Sequence, residues 1–178
     1  MQYSKIKPGK NLPEDIFVIV EIPVSSGPVK YEFNSELDSM IVDRFMQTSM
    51  EYPCNYGFIP HTLSGDGDPL DVLLHTNYPL IAKSIVCAKP IGVLVTQDEK
   101  GMDEKILAVP DEKTDPLFQE IKEYSDLPQI FIQKVEHFFR RYKDLEKGKW
   151  VEINGWQDSA YAKKIIINAV EKYKEIHE

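Results

Sequence analysis

The 178-residue sequence predicts a mainly β fold of the α+β class, a small barrel with flanking helices. Short segments rich in apolar and β-branched residues recur through the first two thirds of the chain, with turn-forming residues between them. These segments do not alternate with helical ones, so their spacing favours a barrel over strand–helix–strand units. Apolar residues at helical spacing mark the last third. The length suits one domain, and we expect residues 1–178 to form a single domain.

The predicted strands follow from local composition. Residues 15–22 form an apolar run with β-branched side chains, closed by Pro23. After a Ser-Ser-Gly-Pro turn at 25–28, residues 29–34 alternate in side-chain character, as a half-buried strand does. Further strands are expected at residues 41–45, 71–75, 84–97 and 104–109.

The last third carries three helix signals. Asp115 and Pro116 match a capping residue followed by proline at the first helical position. Pro128 opens a second helix, and Asp158 could cap a third. The apolar positions of the second helix are Phe131, Val135, Phe138 and Tyr142. Those of the third are Ala162, Ile166, Ala169, Tyr173 and Ile176.

Charge and hydropathy argue against several function classes. The net charge of −8 disfavours nucleic acid or an anionic membrane as the main partner. Residues 1–10 are polar and basic with no apolar stretch of a signal peptide behind them, and no apolar run approaches the ~20 residues of a membrane span. Cys54 and Cys87 make no disulfide framework and suit buried thiols in a reducing compartment. We therefore expect a cytoplasmic protein.

Residues 64–71, Ser-Gly-Asp-Gly-Asp-Pro-Leu-Asp, are the most informative segment, and we call them the aspartate loop. Asp66, Asp68 and Asp71 place three carboxylates within six residues, where glycine and proline prevent a helix. Two unit charges ~5 Å apart repel by roughly 3 kcal/mol at an effective dielectric of ~20. Either one carboxylate is protonated or a cation lies between them, and oxygen-only ligands indicate magnesium, manganese or calcium.

Other interpretations of this loop are less suitable. A solvated acidic turn is the plain alternative. An EF-hand calcium loop is excluded because Leu70, Asp71 and Asn77 occupy its fifth, sixth and twelfth positions. The sequence has neither glycine-rich phosphate-binding motif, and its four histidines lack zinc spacing.

A second acidic pair, Asp98 and Asp103, brackets a loop that contains Gly101. Alone, the pair matches an ordinary hairpin tip, but a barrel could bring this strand end to the aspartate loop. Glu21 and Glu32 lie at strand positions in apolar surroundings. Each is as compatible with an outward-facing strand residue as with a site residue.

Candidate anion ligands carry a positive charge or a phenol hydroxyl: Lys30, Arg44, Lys105, Lys143, Tyr56 and Tyr142. Arginine offers a bidentate fork to a phosphate, and lysine a movable point charge. Lysines and arginines are more often solvated surface residues than ligands. Tyr142 could instead be the last core residue of its helix, and Tyr56 could belong to a rigid, packed loop over residues 51–60.

Three segments together resemble the family I soluble inorganic pyrophosphatases of bacterial type. Residues 66–72 match the family signature, 52–60 match the stretch upstream of it, and 142–146 with 149–151 match the region near the end. The resemblance extends from about residue 14 to the last helix. It implies a five-stranded OB-type barrel with flanking helices and a homo-oligomer, specifically a hexamer. It also implies Mg-dependent hydrolysis of pyrophosphate to two phosphates by direct attack of an activated water.

The resemblance assigns roles residue by residue. Asp68 would be the general base, and several Mg²⁺ ions, with Mn²⁺ as a possible substitute, would be the cofactors. The implied metal ligands are Asp66, Asp71, Asp98, Asp103 and Glu21. The implied phosphate ligands are Lys30, Arg44, Lys105, Tyr142 and Lys143, with Tyr56 and Glu32 in support. Among these, Lys30, Arg44 and Tyr56 would act in catalysis together with Asp68.

Three other functions remain open at this level. A non-catalytic calcium or magnesium binder would use only the acidic loops. An OB-type module for single-stranded nucleic acid would need a basic groove with stacking aromatics, which the acidic balance disfavours. A two-metal phosphohydrolase acting on nucleotides is the nearest alternative, and the relative rates on pyrophosphate and ATP would distinguish it.

Overall fold

Residues 3–177, which a computed structural model describes, form eight strands and two α-helices. The strands are β1 (Ile16–Ile22), β2 (Val29–Asn34), β3 (Ser39–Phe45), β4 (Asn55–Phe58), β5 (Asp71–Leu74), β6 (Ile85–Asp98), β7 (Gly101–Pro110) and β8 (Val151–Gln157). The helices are α1 (Gln129–Arg141) and α2 (Ser159–His177). Within this part of the chain, neither helix is long and apolar enough to traverse a lipid bilayer.

Five strands close into a ring. They pair in the order β1–β4–β5–β7–β6, and β6 returns to pair with β1. The ring can close because β6 is long and its register shifts between Pro90 and Gly92, so that β1 pairs with its first part and β8 with its second. The prediction of a five-stranded, mainly β fold with flanking helices is confirmed.

Apolar side chains of the ring face two packed clusters. Leu73 of β5 belongs to the cluster beneath α1, whereas its neighbours Val72 and Leu74 belong to the cluster beneath α2. Successive strand residues point to opposite faces, so β5 is buried on both sides. The strand that begins with Asp71 is therefore firmly packed, and it supports the end of the aspartate loop.

The β2–β3 hairpin forms a separate two-stranded sheet. Its strands pair antiparallel from Val29 opposite Phe45 to Asn34 opposite Ser39, which places Lys30 beside Arg44. No backbone ladder within residues 3–177 joins this hairpin to the ring. Side chains must therefore determine where the hairpin lies relative to the barrel.

Several sequence predictions need correction. A rigid, packed loop, the alternative given for Tyr56 in residues 51–60, is not what forms there, because Tyr56 lies on β4. The strand β8 has no counterpart among the predicted strands. The helix signal at Asp115 leads only to one 3₁₀ turn, although its carboxylate does accept the Leu117 N–H. Asp158 caps α2 as predicted, by accepting from Tyr161 N–H, but Ile176 at the end of the predicted stripe is 67% exposed.

Gly57 supplies a stability test, because a Cβ at this position would lie 2.0 Å from the carbonyl oxygen of Ile19 in the paired strand. We expect Gly57→Ala to lower the free energy of unfolding by about 1–3 kcal/mol or more. That loss corresponds to about 2–4 °C in melting temperature per kcal/mol, measurable by scanning calorimetry.

Gly65→Ala is the matched control. The nearest atom to a Cβ at Gly65 is the Met102 carbonyl oxygen at 3.5 Å, an ordinary contact. Its melting temperature should stay at or slightly above wild type, since alanine reduces the entropy of the unfolded chain. Equal melting temperatures for the two variants would contradict the close β1–β4 approach.

Candidate active site

A polar cleft of about 530 Å³ opens at one end of the ring. All thirteen site residues named from the sequence line this cleft. They arrive from the ring strands β1, β4, β5, β6 and β7, the aspartate loop, the β2–β3 hairpin and the end of α1. Segments far apart in sequence thus meet at one place.

The acidic centre lies where β5 and β7 pair in parallel. Their register sets Asp71 opposite Lys105, and Asp103 lies two residues before Lys105 on β7. Lys105 Nζ donates to Asp71 Oδ2 at 2.7 Å and to Asp103 Oδ1 at 2.9 Å, with its side chain only 3% exposed. One ammonium group therefore lies between two carboxylates.

Burial and charge shift the ionisation of this group of residues in opposite directions. Burial raises the pKa of Asp71, although the Lys105 charge opposes this effect. Burial alone would lower the pKa of Lys105, but the charges of Asp71 and Asp103 outweigh it and raise that pKa well above its usual value. Lys105 is thus firmly cationic, and one positive charge does not neutralise two carboxylates.

Tyr56 supports Asp71 from the neighbouring strand. Its hydroxyl donates a hydrogen bond to Asp71 Oδ2, and its ring is buried beside that of Tyr52. Burial, and then the negative charge of Asp71, raise the pKa of Tyr56 well above its usual value. The phenol therefore stays protonated and acts as a donor.

The aspartate loop is held by its own hydrogen bonds. Asp68 N–H donates to Asp66 Oδ1 at 3.1 Å, and Ser64 N–H donates to Asp68 O at 2.8 Å. Gly67 has φ +90°, which a residue with a side chain rarely adopts. Burial raises the pKa of Asp66. The side chain of Asp68 is 67% exposed to the cleft solvent, 4.0 Å from Lys100 Nζ.

Asp98 and Asp103, the second acidic pair, bind different lysines, Lys143 and Lys105 respectively. Asp98 Oδ2 accepts from Lys143 Nζ at 2.8 Å, and both side chains are only 9% exposed. Burial opposes ionisation of Asp98, but the Lys143 hydrogen bond overcomes it and lowers the pKa. The β6–β7 hairpin predicted between Asp98 and Asp103 is present.

Two cations of the β2–β3 hairpin also line the cleft. Lys30 Nζ lies 2.5 Å from Glu32 Oε1, and Arg44 Nη1 lies 2.7 Å from Asp43 Oδ2. Half of the Glu32 side chain is exposed. These cations keep access to solvent in the cleft, unlike Lys105.

Glu21 lies at the junction of the ring and the hairpin. Its Oε1 accepts from Phe33 N–H at 2.6 Å, and the residue is 8% exposed. Burial raises the pKa of Glu21 to about 8, although the Phe33 N–H opposes the shift. A carboxyl group with this pKa is largely neutral at pH 7 unless a cation approaches it.

Tyr142 caps the end of α1 and packs in a stacked arrangement against Phe138. It is buried as a core residue would be, and it also lines the cleft. Burial raises the pKa of Tyr142, which keeps its hydroxyl a hydrogen-bond donor.

Four charged cleft residues were not singled out from the sequence as site residues: Asp43, Glu99, Lys100 and Lys149. Asp43 precedes Arg44, and Glu99 and Lys100 follow Asp98. Their closeness in sequence to candidate residues could have indicated that they lie in the cleft. Lys149 belongs to a segment quoted for the family resemblance.

The donor set suits a hard divalent cation, because the carboxylates around the cleft offer only oxygen ligands. Among residues 3–177, however, no three carboxylate, imidazole or thiol groups converge closely enough to hold one ion as they stand. Lys105 Nζ instead lies between Asp71 and Asp103. An ion at this place would thus have to share Asp71 and Asp103 with the ammonium group of Lys105, or displace that group from them.

Comparison with known proteins places this geometry in a family. A family model described as inorganic pyrophosphatase matches residues 18–174. The inorganic pyrophosphatase of Mesorhizobium japonicum is 52% identical over 98% of this chain and 99% of its own length. That of Pseudomonas aeruginosa is 51% identical over 98% of this chain and 100% of its own.

Solved structures agree. The crystal structure of an inorganic phosphatase from Anaplasma phagocytophilum has a TM-score of 0.94 at 48% identity, covering 96% of this chain and 99% of that one. The inorganic pyrophosphatase of Thermus thermophilus has a TM-score of 0.92 at 37% identity, covering 98% and 99%. Matched along nearly its whole length in sequence and in fold, the chain belongs to the family I inorganic pyrophosphatases.

Proposed function

We propose that this protein hydrolyses inorganic pyrophosphate to two phosphates in the cleft. The observation that carries the proposal is that carboxylates and cations from separate segments line one cavity. Carboxylates alone would make a cation binder, whereas carboxylates that face phosphate-binding cations suit phosphoryl transfer to water. The names of its relatives in the family, inorganic pyrophosphatases, point to the same substrate.

Mg²⁺ is the proposed cofactor, with Mn²⁺ as a possible substitute. Asp66, Asp71, Asp98, Asp103 and Glu21 are the proposed ligands. When bound, such ions neutralise charge on phosphate oxygens and lower the pKa of an adjacent water towards ~7. Burial raises the pKa of Asp66, Asp71 and Glu21, and a bound cation would offset the hydration that these three carboxylates have lost.

Asp68 is the proposed general base. It is the most exposed carboxylate of the aspartate loop, and its backbone is held by hydrogen bonds while its side chain faces the cleft. It can therefore take a proton from a water in the cleft, a role worth typically ~10²–10⁴-fold in rate.

The phosphate groups would be held by the cations and phenols. Lys30 and Arg44 project from the hairpin, and Lys105 and Lys143 from the acidic side. They would stabilise negative charge on the attacked phosphate and on the leaving one. Tyr142 would add a hydroxyl donor, while Tyr56 and Glu32 would support these groups through Asp71 and Lys30 respectively.

A homohexamer in the cytoplasm completes the proposal, on the resemblance to bacterial members of the family. Exposed apolar side chains near one another in sequence, Tyr78 at 73% and Ile81 at 82%, offer surface for association. Phosphate release from pyrophosphate, compared with ATP and with and without Mg²⁺, tests the activity and its substrate. Release that is faster from ATP would favour the nucleotide-hydrolase alternative.

Asp68→Asn removes the proposed base while preserving size and polarity. We expect kcat to fall at least about 100-fold. We expect Mg²⁺ binding to persist, because Asp68 is not a proposed ligand. Phosphate release and isothermal titration with Mg²⁺ measure the two effects.

Asp144→Asn serves as its control, since Asp144 pairs with Arg141 on the surface outside the cleft. Its kcat should match wild type. Wild-type turnover by Asp68→Asn would show that another group takes the proton.

Mg²⁺ should stabilise the fold, because it relieves carboxylate repulsion only where the native structure gathers these groups. At a hundredfold excess over Kd the gain is about 2.7 kcal/mol. For a chain of this length that corresponds to about 5–10 °C in melting temperature. Thermal unfolding in chelator and in millimolar Mg²⁺ measures it.

Asp71→Asn should lose most of this Mg²⁺-dependent gain, whereas Asp144→Asn should retain it. Identical melting temperatures in chelator and Mg²⁺ for the wild type would contradict the metal assignment.

A further inference from the structure

We propose that Glu146 is a positioning residue that clamps the β2–β3 hairpin, and with it Arg44, onto the wall formed by Tyr142 and Lys143. This inference rests on the proposed function for its catalytic consequence. Its structural part, the clamp itself, stands on the ion pairs alone. Glu146 is not one of the cleft-lining residues in the described part of the chain, so it would act through the cations that it holds.

The hairpin needs such a clamp because it shares no backbone ladder with the ring in residues 3–177. Other side-chain contacts also hold it, among them the Phe33 ring, which stacks on Phe58 of β4. Glu21 accepts from Phe33 N–H on β2, and Lys83 Nζ donates to Asp38 O at the hairpin turn, at 2.5 Å. Just beyond β3, Met46 is buried in the core beneath α1, and Thr48 Oγ1 donates to Tyr142 O at 3.4 Å. None of these contacts engages the Arg44 side chain.

Glu146 binds the Arg44 side chain itself. Its Oε1 accepts from Arg44 Nε at 3.3 Å, a pair of residues 102 positions apart in sequence. Its Oε2 lies 3.1 Å from Lys149 Nζ. The Glu146 side chain is only 11% exposed, so solvent screens these two ion pairs less than surface pairs.

The backbone of Glu146 is hydrogen-bonded to the segment that carries Lys143 and Lys149. Its N–H donates to Lys143 O at 2.9 Å, and its own carbonyl accepts from Lys149 N–H at 3.2 Å. Consecutive turns thus connect Glu146 to two cations of the cleft. The Glu146 carboxylate, held in place by its backbone, then binds Arg44 of the hairpin.

Arg44 is consequently held from two sides. Glu146 engages Nε, and Asp43 engages Nη1 at 2.7 Å. Burial alone would lower the pKa of Arg44, but the charges of Glu146 and Asp43 raise it. A guanidinium group held at two of its three nitrogens is restricted in orientation and still has N–H donors for a phosphate oxygen.

Amide hydrogen exchange tests the clamp without any substrate. In Glu146→Ala we expect residues 29–45 to exchange about fivefold faster than in wild type, with the ring strands β5 and β7 unchanged. Glu14→Ala is the matched control, because Glu14 makes an ion pair between distant segments, with Lys163 at 2.5 Å, outside the cleft. It should leave the hairpin and the activity unchanged.

Kinetics tests the catalytic consequence. Glu146→Ala should lower kcat/KM for pyrophosphate about tenfold, since a small misplacement of a binding group is costly. In an Arg44→Ala background the same change should have a several-fold smaller effect, because its main target is gone. Glu146→Gln, which keeps the size and one acceptor oxygen, should lie between wild type and Glu146→Ala, and it replaces the alanine variant if that one does not fold.

Unchanged hairpin exchange in the Glu146 variants overturns the clamp, whatever the protein hydrolyses. A full tenfold loss in the Arg44→Ala background overturns action through Arg44. A wild type that releases no phosphate from pyrophosphate overturns the proposed function instead, while the exchange comparison still decides the clamp.

Discussion

The buried ammonium group of Lys105, held between Asp71 and Asp103, is the interaction on which the rest of the site depends. A lysine with 3% of its side chain exposed is tolerated only where carboxylates compensate its lost hydration. The parallel register of β5 and β7 provides that compensation, because it sets Asp71 directly opposite Lys105. Since two carboxylates face one ammonium, the centre keeps an excess of negative charge, and this excess is what a divalent ion would neutralise.

The two halves of the cleft are supported in different ways. The acidic half stands on ring strands that are packed on both faces, as Leu73 and its neighbours Val72 and Leu74 show. The basic half stands on a hairpin with its own sheet, attached through side chains. Metal ligands require geometry within a few tenths of an ångström, whereas phosphate-binding cations tolerate adjustment. Under the proposed function, the more rigid support therefore lies beneath the proposed metal ligands.

Contiguous features could be predicted from the sequence, and distant pairings could not. The aspartate loop was visible because Asp66, Asp68 and Asp71 are local, and the hairpin at Asp98 followed from a glycine between two strand-like runs. β4 escaped prediction because four residues that include Asn55 and Gly57 have weak strand propensity, and tertiary pairing with β1 overrides it. Glu146 carried no local sign of its role, because its partner Arg44 lies 102 residues away. The position of Lys105 between two aspartates likewise depends on a register that no periodicity reveals.

The parallel pairing of β5 with β7 also bears on how the protein folds. β6 lies between them in sequence and runs antiparallel to β7. Asp71 can therefore pair with Lys105 only after the chain has passed through β6 and reversed direction. Contacts that close such long loops form late and slow folding. During synthesis, a ribosome-bound chain ending before β7 contains the whole aspartate loop but lacks its counter-charge. Until β7 is made, Asp71 lacks the ammonium group that donates to it in the folded protein.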